Sequence, residues 1–179
     1  PFGRSGNAVS AVTLNLGAAY VKRGECEAGF EYLARARDLF AQAKSRDLLP
    51  ELHRRLAEAH QAQRALADAR REAEVSLALA DELSMLGEQG LTRRTLGNIA
   101  AEEGRTDDAE RELQRAIQIL SDVGDNYGLA CAQLSLADVC SHASDAARRR
   151  QLLDECMPVF ERLGAALEMS RAQKLLAIT

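Results

Sequence analysis

Apolar positions recur along this chain at intervals of forty residues, and one leucine marks the recurrence most clearly. Steps of forty from this leucine reach Leu16, Leu56, Leu96, Leu136 and Leu176. The residue after each leucine is small: Gly17, Ala57, Gly97, Ala137 and Ala177. Residues four before and three after the leucine are mostly apolar as well, and these offsets are neighbours on one helical face. The pattern predicts a series of amphipathic helices whose core face includes each leucine.

The second half of each period repeats too. Seventeen residues after the leucine stand Leu33, Ala73, Leu113 and Leu153, and twenty-four after it stand Phe40, Ala80, Leu120 and Phe160. A break falls at the eighth residue after the leucine, at Gly24, Arg64, Gly104 and Ser144. Each period is therefore predicted to be a helix, a tight turn and a longer second helix. The predicted repeats are 8–47, 48–87, 88–127 and 128–164, followed by a single capping helix over 165–179.

Glycine and proline agree with these boundaries. Gly87, Gly124 and Gly164 fall near the ends of second helices, where a left-handed C-terminal cap favours glycine. Pro50 is expected in the first turn of its helix, where its missing N–H costs no hydrogen bond.

The third period carries a recognisable motif. Its residues Leu96, Gly97, Gly104, Ala109, Leu113 and Ala116 resemble the tetratricopeptide signature. The first period is similar, whereas the others depart from it at His60, Arg64, Ser76 and Arg149. The resemblance implies an all-α, right-handed superhelical solenoid of four full repeats plus a terminal helix, forming one domain over 1–179. HEAT repeats have a similar length, but the chain lacks their pattern. The forty-residue period resembles a subtype found in bacterial signalling and transcription regulators and in cell-polarity scaffolds.

The same resemblance implies that first helices line a concave groove that binds a peptide or helix of a partner. At 100° per residue, offsets of −2, +2 and +5 from the leucine point away from the predicted core. The candidate binding residues chosen from these positions are Arg54, Glu58, Arg94, Asn98, Asp138 and Lys174. An asparagine amide can both donate to and accept from a peptide backbone, and an arginine can grip a carboxylate with two bonds. A solvated surface explains the same polar residues, and both interpretations stay open. Leu14 and Ala18 stand where the clamp for chaperone C-termini needs polar residues, so that activity is not expected.

Composition narrows the function classes. The net charge of −4 argues against a nucleic-acid partner, and no apolar run is long enough to span a membrane. The four cysteines form no C-x-x-C pair, and the three histidines lack a second ligand at helical spacing. We therefore expect buried free cysteines, a cytoplasmic location, no metal or cofactor, and no enzymatic activity.

The leading hypothesis is a protein-interaction or ligand-sensing module within a larger, bacterial regulatory protein, an expectation to which the non-methionine Pro1 contributes. The alternative is an architectural module that self-associates through its ends. For that alternative, Leu167, Leu175 and Ile178 are predicted to lie on the exposed side of the terminal helix and to support a homodimer.

Overall fold

The computed structural model describes residues 2–142 and 145–177, with side chains from residue 8 onward and except at 141 and 142. The described residues form α-helices and one short 3-10 helix at Arg46–Leu48, and they contain no strand. The α-helices are α1 Phe2–Lys22, α2 Cys26–Ala43, α3 Leu49–Ala62, α4 Leu66–Glu82, α5 Leu86–Glu102, α6 Thr106–Asp122, α7 Asn126–His142, α8 Ala146–Leu163 and α9 Ala166–Leu176. The predicted all-α architecture is confirmed. Pro50 lies in the first turn of α3, as predicted.

The helices are grouped into two compact units, residues 1–88 and 89–179. In the first unit, α1 pairs with α2 and α3 pairs with α4, while α2 and α1 also pack against α3. In the second unit, α7 packs against α6, α8 and α9, and α8 packs against α9. Each unit is therefore built from antiparallel helical hairpins. The first helices of successive hairpins contact each other, α1 with α3 and α7 with α9.

Three of the predicted turns within hairpins contain one left-handed residue each. Gly24 and Gly104 have φ angles of +83° and +75°, and Arg64 takes the same conformation at 62°. Ser144 lies outside the described residues. A left-handed residue sends the chain back against the helix it has just left, and glycine adopts that conformation without a Cβ clash.

The caps of the second helices follow the prediction at two of three glycines. Gly124 and Gly164 have positive φ angles after α6 and α8. The prediction for Gly87 was wrong, because α4 already ends at Glu82 and Ser84 takes the left-handed conformation. Gly87 instead lies in the first turn of α5.

The core face of the first helices differs from the prediction. The repeating leucine is 42% exposed at Leu16 and half-buried at Leu56 and Leu96, whereas Leu136 is buried. The small residue that follows it is buried at Gly17, Ala57, Gly97 and Ala137. The hairpin partner packs against this small residue, so that the buried face is centred beside the leucine rather than on it.

The small residue permits close contact between the two helices of a hairpin. A Cβ atom added to Gly97 would lie 2.6 Å from Cγ of Leu113, and one added to Gly17 would lie 2.9 Å from Cγ of Leu33. Both leucines are fully buried. In the second hairpin both positions are alanine, Ala57 on the first helix and Ala73 on the second.

The terminal helix α9 closes the core of the second unit. Ala172 and Leu175 pack with Cys156, Phe160 and neighbouring residues of α7 and α8. Leu167 is 83% exposed, in agreement with the expectation for that position. The prediction that Leu175 lies on the exposed side was wrong: it is 7% exposed because that edge of α9 faces α8. Ile178 lies outside the described residues.

Candidate functional site

The outward face predicted for the first helices is only partly outward. The residues two before the repeating leucine are buried at Leu14, Arg54 and Leu134 and half-buried at Arg94. The residues two after it are half-buried at Glu58, Asn98 and Asp138. A first helix has neighbours on several sides, and its buried arc is wider than a one-sided amphipathic helix would have. The expectation that the position two before the leucine faces solvent was therefore wrong for Arg54, whose role in binding remains a prediction.

Arg54 is enclosed in a network of carboxylates in the first unit. Its guanidinium hydrogen-bonds to Glu88 through Nε, and its Nη1 atom lies 3.2 Å from Oε1 of Glu58. Oε1 of Glu51 lies 3.7 Å from Nη2 of Arg54. The side chain of Arg54 is 3% exposed and that of Glu88 is 10% exposed. Arg54 therefore joins α3 to the first turn of α5, and its charge is neutralised within the unit.

The electrostatics of Arg54 follow from this enclosure. Burial by itself lowers the pKa of the guanidinium, but the negative charges of Glu58 and Glu88 outweigh it and raise the pKa above its ordinary value. Arg55, the next residue, forms ion pairs with Glu51 and Glu58 as well. The two candidate residues Arg54 and Glu58 thus satisfy each other, which favours a structural role for Arg54 over direct contact with a ligand.

The second unit presents a more accessible set of candidates. Arg94 and Asn98 lie half-buried on α5, Asp138 lies half-buried on α7, and Lys174 is exposed on α9. Helices α5 and α7 share a core cluster through Ala100, Leu136 and Val139, and α7 packs directly against α9. The four residues therefore lie on three neighbouring first helices. We call Arg94, Asn98, Asp138 and Lys174 the first-helix polar set.

Two interactions link α7 to α9 beside this set. Nη2 of Arg171 donates to Oδ2 of Asp138 at 2.5 Å, and the hydroxyl of Tyr127 donates to Oε1 of Glu168 at 2.8 Å. Burial, with the contribution of Glu168, raises the pKa of Tyr127, so the phenol stays protonated and can keep donating. Asp138 is therefore held in place by Arg171, which lies on α9 together with the exposed Lys174.

Sequence reasoning missed Arg171 and Glu88. Arg171 precedes Lys174 by three residues, which places both on one side of α9, so the helical spacing could have indicated it. Glu88 is 34 residues from Arg54, and only the hairpin geometry brings an acid in the first turn of α5 against α3. No local pattern contains that information.

Reactive chemistry is not assembled in the described part of the chain. No cluster of three or more histidine, cysteine, aspartate or glutamate side chains there could hold a metal ion. Cys131, Cys140 and Cys156 are buried and Cys26 is half-buried, and all four are free thiols. Burial raises the pKa of Cys156 to about 11, which disfavours the nucleophilic thiolate. Among residues 2–142 and 145–177, no helix has both the length and the apolar character of a bilayer span.

Comparisons with known proteins show the fold. No protein-family model matches the chain, and no curated protein matches its sequence. Among solved structures, aspartyl phosphate phosphatase F from Bacillus subtilis superposes with a TM-score of 0.77 at 14% identity, over 94% of this chain. The chain spans 44% of the length of that protein.

Two further structures support the same fold. Kinesin light chain TPR-like repeats from Podosopora anserina match with a TM-score of 0.64 at 17% identity, over 92% of this chain and 85% of theirs. BtubC from P. vanneervenii matches with a TM-score of 0.60 at 14% identity, over 98% of this chain and 89% of its own. The chain therefore has the fold of tetratricopeptide-like helical repeats.

Proposed function

We propose that the protein is a protein-interaction module that binds a peptide segment of a partner against the first-helix polar set, without catalysing a reaction. The observation that carries the proposal is the accessibility of this set: Lys174 is exposed on α9, and Asn98 is half-buried on α5. The corresponding side of α3 is closed by the ion pairs of Arg54. The candidate surface is therefore restricted to the second unit.

The chemistry of the set favours an extended peptide with a carboxylate. The Asn98 amide can donate to a backbone carbonyl and accept from a backbone N–H, which suits a ligand whose side chains vary. The exposed ammonium of Lys174 supplies a positive charge for a carboxylate. Arg171 is half-exposed and already pairs with Asp138, so it keeps that acid from repelling the ligand.

A regulatory setting is the second part of the proposal. The Bacillus subtilis match is described as an aspartyl phosphate phosphatase, and this chain spans less than half of it. We propose that the present module belongs to a bacterial regulatory protein and that the bound peptide changes the activity of a neighbouring segment. The support for this is the fold likeness together with the forty-residue period.

The binding proposal is tested with peptides selected on the wild-type protein from a random library with free carboxyl termini. We expect Lys174→Glu to weaken the selected peptides about tenfold or more, because a charge contact becomes a repulsion. Asn98→Ala should weaken them as well. The matched control is Arg150→Glu, which makes the same charge change at an exposed residue of the second helix α8. Equal affinity for the Lys174→Glu and Arg150→Glu proteins would place the peptide on another surface.

A second candidate is self-association, which the exposure of Leu163 and Leu167 at the α8–α9 turn favours. These side chains are 54% and 83% exposed, and large apolar side chains in solvent mark contact surfaces when they are adjacent. A concentration-dependent dimer in sedimentation that Leu167→Glu dissociates would support this role. A monomer at high concentration would exclude it and leave the peptide proposal unaffected.

A further inference from the structure

The outer face of α1 carries an apolar stripe that no described element covers. Val9, Val12 and Leu16 are 54%, 59% and 42% exposed, and Ala19 is exposed beside them. The spacing of three and four residues places them along one side of the helix, as in the seam of a two-helix packing. We call Val9, Val12, Leu16 and Ala19 the α1 stripe.

The surroundings of the stripe lack charge. Residues 5–21 contain no charged side chain, although 28% of the chain is charged. A helix that faces water on one side ordinarily carries charged residues on that side. The composition of α1 is therefore that of a helix covered on more than its inner face.

The positions of the stripe are covered in the later repeats. Forty residues on, the equivalents Leu52 and Ala59 of α3 are fully buried in a cluster with α2, and Leu49 and Leu56 are half-buried against the same cluster. In the second unit, the equivalents on α7 are Ala132, Leu136 and Val139. Ala132 is fully buried in a cluster with α6, and Leu136 and Val139 are 2% and 5% exposed. In both cases the covering element is the second helix of the preceding hairpin.

The covering helices share one chemical pattern. In α2, Ala36 and Phe40 pack against α3, and in α6, Ala116 and Leu120 pack against α7. A small residue followed four positions later by a large apolar one lets the helix approach closely and then fill the space beside the stripe. The same protein thus shows twice the kind of helix that packs on the equivalent face of a first helix.

From these observations we propose that the α1 stripe is a docking surface for an amphipathic α-helix of a partner protein, presenting a small residue and a large apolar residue four positions apart. The contact is apolar on both sides, because α1 offers no charge between residues 5 and 21. This surface is on the first unit and is independent of the first-helix polar set.

The test uses a labelled peptide with the sequence of residues 25–44, which is the helix that covers the equivalent face of α3. We expect saturable binding of this peptide in fluorescence anisotropy. The Leu16→Glu protein should bind it with an affinity about tenfold lower or weaker still. Val12→Gln should weaken binding with less risk to folding, since Val12 makes few contacts at 59% exposure. The control Val123→Glu, at a residue that is 40% exposed on another helix end, should bind as the wild type does.

Two outcomes would overturn the proposal. The peptide could bind the Leu16→Glu and Val12→Gln proteins as tightly as the wild type, or it could fail to bind the wild type at all. Either result would show that the stripe is not a docking surface for such a helix. A wild-type dimer in sedimentation that Leu16→Glu dissociates would identify the occupant as a second copy of this chain instead. A peptide variant with Phe40→Asp should fail to bind the wild-type protein, because the large apolar contact is lost.

Discussion

Individual left-handed residues mark the turns of the first three helical hairpins, at Gly24, Arg64 and Gly104. Gly104 has a φ angle of +75°, with no atom within 4 Å of the place where a Cβ would stand. Gly87 also has open space around it, but lies in the first turn of a helix without a positive φ. The two glycines thus differ in backbone conformation and not in packing.

This difference predicts that alanine substitutions at the two glycines change the free energy of unfolding in opposite directions. Gly104→Ala should lower the free energy of unfolding by about 1 kcal/mol, because an L-residue is strained in the left-handed region. Gly87→Ala should raise it by up to about 1 kcal/mol, because alanine loses less backbone entropy on entering a helix. Urea denaturation of both proteins measures the effects. Changes of the same sign would contradict the assigned conformations.

The cysteines predict a second residue-level result. Cys156 is fully buried, and its pKa of about 11 leaves little thiolate in mildly alkaline solution. Burial also raises the pKa of Cys140. Iodoacetamide should therefore alkylate half-buried Cys26 of the native protein well before these two, and all four cysteines after denaturation. Mass spectrometry of the peptides measures the rates, and alkylation of Cys156 as fast as Cys26 would be inconsistent with its burial.

At the scale of elements, the first and third hairpins pack a glycine of one helix closely against a leucine of the other. Gly97→Ala should destabilise the protein by about 1–3 kcal/mol by overpacking against Leu113. Leu113→Ala should cost about 2–5 kcal/mol by leaving a cavity. The double variant should cost less than the sum, because the added methyl group partly fills that cavity. Ala57 and Ala73 already form such a pair in the second hairpin. Additive losses in chemical denaturation would argue against direct contact.

The enclosed arginine predicts a contrast between two neighbours on α3. Arg54→Ala should cost about 3–5 kcal/mol of stability, because Glu88, at 10% exposure, would lose the guanidinium to which it is hydrogen-bonded. Arg55→Ala, which removes a side chain that is 20% exposed, should cost about 1 kcal/mol or less. Thermal and urea unfolding compare the two. Equal losses would mean that Arg54 is not enclosed as described.

The elements themselves could be predicted from the sequence, but the phase of their burial could not. The period located the turns at Gly24 and Gly104 and the helices on either side, because turn chemistry and apolar spacing are local properties. The period predicts that the leucine lies in the core, because it is the most regular apolar residue. In the structure the glycine or alanine beside it makes the closest contact, because two helices can approach closely only where the side chain between them is small. Which first-helix residues are enclosed depends on neighbouring helices, as Arg54 and Glu88 illustrate.

For the whole molecule, the fold follows from the repetition and the candidate site from what the repetition leaves accessible. The sequence predicted the tetratricopeptide-like fold that the solved structures share. Of the six candidate binding residues, Arg54 and Glu58 are engaged with each other in the first unit, and the four of the first-helix polar set lie in the second. A ligand that binds this set must contact α5, α7 and α9.

The most direct measurement is the footprint of a selected peptide on the protein in solution, mapped by amide chemical shifts. We predict that the largest shifts fall on α5, α7 and α9 and include the side-chain amide of Asn98, while the exposed residues of α6 and α8 change little. Shifts confined to α6 and α8, with the Asn98 amide unmoved, would contradict the proposal that the first-helix polar set binds the partner.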